Sequence, residues 1–106
     1  MQKQQILRHI VLFSYTPETT NEQRLHIAGD FSSLPSKIAE VRAFEYGTNC
    51  SPENLNQDFE YCFTLSFDSE RARDAYLVHP EHLAFVERLK PWIAKALVLD
   101  YWARAA

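Results

Sequence analysis

The stretch Leu7 to Tyr15, LRHIVLFSY, is apolar on both faces of an extended chain. Successive side chains of a strand point to opposite sides. His9, Val11, Phe13 and Tyr15 therefore share one face, and Arg8, Ile10, Leu12 and Ser14 the other. A strand with so little polar surface belongs in the middle of a sheet that is covered on both sides.

Two further segments alternate as strands do. Val41 to Asn49 reads as a second strand and is followed by a loop crowded with Asn49, Ser51, Pro52, Asn54 and Asn56. In DFEYCFTLSF, Phe59, Tyr61, Phe63, Leu65 and Phe67 form one face of a third strand, with Glu60, Cys62, Thr64 and Ser66 on the other. Ala96 to Trp102, ALVLDYW, makes a fourth. Between the strands lie helical patterns. Thr20 and Gln23 have capping-box spacing, and Leu25, Ala28, Phe31 and Leu34 predict an inner helical face over Asn21 to Leu34, ended by Pro35. Asp68 or Ser69 caps a second helix with Ala72, Ala75 and Tyr76 inward. Val78-His79-Pro80 interrupts it, because a residue before proline is pushed out of helical geometry. The helix resumes over Glu81 to Lys90, with Pro80 suited to its first position and Pro91 ending it.

The order β-α-β-β-α-β predicts an α+β, ferredoxin-like unit: a four-stranded antiparallel sheet with both helices on one face. The opposite sheet face is then bare and apolar, a liability on a free surface. Packing two copies sheet to sheet removes it, so the expected assembly is a homodimer through the sheet faces.

Length and charge narrow the functions open to such a chain. At 106 residues, positions 1–106 read as one domain. Eleven Lys and Arg against 14 Asp and Glu leave a formal net charge of −3, without the dense basic stripe that nucleic acid requires. Neither a membrane span nor a signal-peptide core is expected, since the N-terminal apolar patch runs only from Ile10 to Phe13. The expected location is cytoplasmic. Cys50 and Cys62 would sit at different heights of a hairpin, Cys62 well along its second strand, and are expected to be unpaired, buried or inert thiols.

Candidate chemistry concentrates in Ala75 to Trp92, AYLVHPEHLAFVERLKPW. His82 is followed at three, four and seven residues by Phe85, Val86 and Leu89, so it shares an apolar inward face. Imidazole there titrates near physiological pH and is easily tuned. The competing account of His82 is a core histidine satisfied by a hydrogen bond. His79 belongs to the helix break, His9 to the central strand, and His26 to a surface or boundary. Tyr76, six residues before His82, can donate to a developing oxyanion. Asp100 is an acidic residue inside an apolar strand and needs a partner. An imidazole would serve, with the carboxylate fixing its tautomer. Two neighbouring histidines do not make a zinc site, which needs three or four ligands. No metal and no cofactor is expected.

The segments RHIVLFSY, FEYGTNCSPENLNQDFEYCFTLSFDS, AYLVHPEHLAFVERLKPW and LVLDYW together resemble the Dabb family of stress-responsive dimeric α/β-barrel domains, over Arg8 to Trp102. The HPEH unit followed by the closing DYW is the most specific part. The resemblance implies the same fold and a dimer. It also implies, from a plant polyketide cyclase of that family, that His82 acts as general acid/base, that Tyr76 assists, and that His9 and Asp100 belong to the same cavity. Where that enzyme has a further pocket histidine, this chain has Tyr61, and its alkyl pocket is not recognisable here. On this reading His82, Tyr76 and Asp100 are catalytic, and His9, Phe13, Tyr61 and Phe85 line the substrate pocket.

Three functions stay open. The first is a cofactor-free cyclase or isomerase acting on a small apolar or aromatic ligand. In it His82, oriented by Asp100, removes a proton beside a carbonyl while Tyr76 stabilises the enolate. The second is a non-enzymatic stress-protective or ligand-binding dimer in which the histidines tie the helix break. The third, by fold analogy alone, is a monooxygenase of the dimeric-barrel type.

Overall fold

The computed structural model describes residues 5–104. Leu7–Tyr15 forms β1, and Thr20 then opens α1, Asn21–Ser32, with the complete capping box. The Thr20 hydroxyl accepts from the Gln23 amide at 3.1 Å, and the Gln23 side chain accepts from the Thr20 amide at 2.9 Å. Two donors at the helix start are thus satisfied reciprocally. After a 3₁₀ turn, Leu34–Ser36, come β2, Ala43–Thr48, and β3, Tyr61–Phe67. Ser69 caps α2, Glu70–Leu77, and α3 follows as Pro80–Leu89. A second 3₁₀ turn, Lys90–Trp92, leads into β4, Ile93–Trp102.

All strand pairings are antiparallel, in the order β2-β3-β1-β4. β1 is central, as its two apolar faces require. Directly paired residues point to the same side of a sheet. His9 is flanked by Leu65 and Asp100 on the helix side, while Ile10 is flanked by Thr64 and Leu99 on the open side. The helix side closes on an aromatic core in which Phe31 stacks on Phe63 at 4.5 Å and lies 4.7 Å from Phe85. On the open side Leu97, Leu99 and Tyr101 of β4 are exposed beside half-buried Ile10 and Leu12. The bare apolar face is therefore real.

Several local expectations change. Leu25 is 62% exposed, and the inner face of α1 is Ile27, Ala28 and Phe31. A strict three-residue series drifts backward around a helix of 3.6 residues per turn, so its first member rotates off the face that Phe31 occupies. α1 also stops at Ser32, where the Ser32 and Ser33 hydroxyls donate to the Ala28 and Asp30 carbonyls. Such side-chain bonds compete with the helical ladder. β3 begins at Tyr61 rather than Asp58 because Gln57 and Asp58 have positive φ, 51° and 66°, and turn the chain before the ladder starts. Cys62 is consequently the second residue of β3. Both cysteines are free, as expected, with Cys50 exposed and Cys62 half-buried.

Candidate functional site

The site is assembled by the break between α2 and α3. Pro80 occupies the first turn of α3, where its missing N–H costs nothing. The residue before it, His79, becomes the N-cap, and its Nδ1 accepts from the Glu81 amide at 3.1 Å. His79 is thus a local capping residue, in agreement with its place before the proline. The same break leaves the last carbonyl of α2 without a helical partner. His82 fills that gap, with Nδ1 3.0 Å from the Leu77 oxygen. A carbonyl only accepts, so Nδ1 carries the proton and Nε2 holds the lone pair. Burial pushes the His82 pKa below its ordinary value. The Leu77 bond opposes that shift, and nearby His9 and His79 reinforce it. The ring is therefore a neutral imidazole at physiological pH, with its basic nitrogen already chosen.

Tyr76, in the last turn of α2, packs its ring 4.4 Å from that of His82. It is 0% exposed. Its hydroxyl has no hydrogen-bond partner among the described residues, and burial raises its pKa above the ordinary range. The His9 ring also lies near Tyr76, 5.9 Å away and edge-on. His9 is 4% exposed. Its Nδ1 is 2.7 Å from Oδ1 of Asp100, its cross-strand neighbour. The other Asp100 oxygen accepts from Arg73 at 3.0 Å, and Arg73 also donates to Asp74 at 3.1 Å. The result is a continuous group: Arg73, Asp100 and His9, then Tyr76, then His82.

This corrects one detail. Asp100 does not orient His82. Register places the carboxylate opposite His9, and the helix break supplies His82 with a carbonyl of its own. The expected lining residues are also unequally placed. His9 stands beside Tyr76. Phe85 follows His82 by three residues but packs on Phe31 in the core. Phe13 and Tyr61, paired with each other, lie four residues along the strands from His9 and Leu65, about 13 Å away. They face Tyr15 and Phe63 instead. Arg73 was not foreseen. Its signal in the sequence is the three-residue spacing to Tyr76, which puts both on one helical face.

Two clefts bounded by described residues lie elsewhere. One, of about 360 Å³, sits on the open sheet side by Gly47, Asn56, Phe59 and Cys62. The other, of about 220 Å³, sits between α1 and α3 by His26, Arg88 and Trp92. Neither reaches Tyr76 or His82. Among the described residues no three His, Cys, Asp or Glu side chains cluster as metal ligands. Nor is any described helix long and apolar enough to cross a membrane.

Residues 7–103 match the Stress responsive A/B Barrel Domain family, Dabb. The chain belongs to that family. It is 30% identical over 95 residues to the stress-response A/B barrel domain-containing protein HS1 of Arabidopsis thaliana, covering 90% of this chain and 87% of HS1. It is 20% identical over 98 residues to the olivetolic acid cyclase of Cannabis sativa, covering 92% and 97%. Among solved structures, the hydroxynitrile lyase of Passiflora edulis superposes with a TM-score of 0.90 at 24% identity, covering 98% of each chain. A dimeric ferredoxin-like protein of unknown function from Bacteroides fragilis gives 0.74 at 27% identity, covering 92% and 96%. The Dabb chain therefore shares its fold with a lyase and with a dimeric protein, and its sequence is similar to that of a cyclase.

Proposed function

We propose that this Dabb protein is a cofactor-free acid/base enzyme, a cyclase or isomerase in type, acting on a small apolar or aromatic carbonyl compound. His82 Nε2 takes a proton from the carbon beside the carbonyl, and the Tyr76 hydroxyl donates to the oxygen that becomes negative. Such a transfer needs only a placed base and an oxyanion donor. The observation that carries the reading is the Tyr76 hydroxyl, buried and unpartnered beside a neutral imidazole. An unsatisfied buried hydroxyl costs about 1–3 kcal/mol, and a bound carbonyl oxygen would supply the missing partner.

The active form in this reading is a homodimer closed through the open sheet faces. The exposed Leu97, Leu99 and Tyr101 and the dimeric relative from Bacteroides fragilis support it.

The test is deuterium exchange, followed by NMR, at the carbon next to the carbonyl in a series of alkyl and aryl methyl ketones in D₂O. The native protein should accelerate exchange of at least one of them. His82→Ala and Tyr76→Phe should each reduce that acceleration by about 10²-fold, the usual contribution of a placed acid or base. Exchange indifferent to both substitutions would sink the proposal.

A second reading has its own observation. His82 and His79 satisfy the Leu77 carbonyl and the Glu81 amide, as a purely structural pair would. The protein would then be a non-enzymatic ligand-binding or stress-protective dimer. His82→Ala would lower its thermal stability and leave ligand binding intact.

A further inference from the structure

Asp100 lies on β4, an edge strand, where a carboxylate is free to turn toward water. It does not do so, because both of its oxygens are engaged. Oδ1 meets His9 Nδ1, and Oδ2 accepts from one terminal nitrogen of Arg73. The remaining face of the guanidinium is held by Asp74, through Nε at 3.1 Å and the second terminal nitrogen at 3.0 Å. All three nitrogens of the planar group are thus committed, which fixes its direction as a single point charge on a flexible stem would not. Arg73 reaches Asp100 from the same face of α2 that buries Tyr76.

We propose that Arg73 is a positioning residue for His9. By occupying one oxygen of Asp100 it aims the other at Nδ1 of His9, keeps the proton there, and leaves Nε2 as the accepting nitrogen. His9 then presents the same tautomer as His82, so the two imidazoles that neighbour the Tyr76 ring both have their protons tied down at Nδ1. The relevance of this to turnover rests on the acid/base reading above, but the orientation does not. Pairs this near to water add little to folding energy, so the role is expected to appear in the tautomer and not in the melting temperature.

The experiment is ¹⁵N NMR of the histidine rings in the full chain, about two pH units above the ordinary histidine pKa of about 6.5, where imidazole is neutral. In the native protein His9 should be an Nδ1–H tautomer with a downfield, slowly exchanging N–H proton. His82, bonded to Leu77, should give a second such signal. Arg73→Met keeps the apolar stem and removes the charge, and should abolish the His9 signal while leaving that of His82. Arg73→Lys should retain the His9 signal in weakened form. Persistence of the His9 signal in Arg73→Met would overturn the proposal. So would loss of both signals together, which would mean that the helix layer had loosened as a whole. The readout involves no turnover, so the ketone exchange assay can fail while this one succeeds, and the reverse.

Discussion

His9 and Asp100 face one another across the β1–β4 pairing with 2.7 Å between Nδ1 and Oδ1. Nearly the whole length of the chain separates them in sequence, and only the antiparallel register brings them together. Asp100→Ala would strand the buried imidazole N–H of His9, while the Arg73 guanidinium stays within reach of water. A loss of about 1–3 kcal/mol is expected for such an unsatisfied group. For a domain of this size each kcal/mol lowers Tm by about 4–8 °C. Thermal unfolding at matched protein concentration checks this, and an unchanged Tm would show that the pair contributes nothing to stability.

Tyr76→Phe separates the two functional readings by stability as well as by activity. Removing a buried hydroxyl that has no partner relieves a desolvation cost. The variant should melt at the native temperature or slightly above it, while losing the proton-transfer activity. A clear drop in Tm would mean that the hydroxyl has a structural partner in solution.

The pH dependence follows from His82. Its folded pKa lies below the ordinary 6.5 because burial disfavours the cation. As pH falls below 6.5 the unfolded chain takes up this proton before the folded one does, so the linkage slope makes stability fall. The contribution of His82 is complete above pH 6.5 and is lost as pH falls through its folded pKa. His82→Gln should flatten that part of the stability curve, measured by denaturant unfolding between about pH 5 and 7. Base activity should persist below pH 6.5 for the same reason.

Leu99 tests the assembly. It is 57% exposed on the open apolar face, midway between Leu97 and Tyr101 along β4. Leu99→Asp places a charge where a second copy would desolvate it. Sedimentation should show the native chain as a dimer and the variant shifted toward monomer. A native chain that sediments as a monomer at high micromolar concentration would refute the face-to-face pairing.

Phe31 tests the core. It contacts Phe13, Phe44, Phe63 and Phe85 and is almost completely buried. Phe31→Ala should cost about 3–5 kcal/mol, the usual range for a buried phenylalanine. A loss below about 1 kcal/mol would mean that the aromatic cluster collapses readily into the space.

Much of the fold was legible because each element carries its own local signal. Thr20 and Gln23 announce α1, and the proline after His79 announces the break and makes His79 a cap. The two apolar faces of β1 place it at the centre of the sheet. Where periodicity had to supply an angle as well as an element, it failed: Leu25 has helical spacing but the wrong rotation. Sequence also does not carry loop conformation, so the late start of β3 after Gln57 and Asp58 was invisible.

The candidate site divides along the same line. Local spacing turned His82 and Tyr76 inward and gave Asp100 a need for a partner, because helix periodicity and the cost of a buried charge act on a few neighbouring residues, while the pairing of His82 with Tyr76 came with the family resemblance. Tertiary structure alone decided which imidazole Asp100 holds, that Arg73 joins it, and that the carbonyl of Leu77 fixes the His82 proton. Those contacts depend on strand register and on the angle between two short helices. Both are set by how the whole core packs.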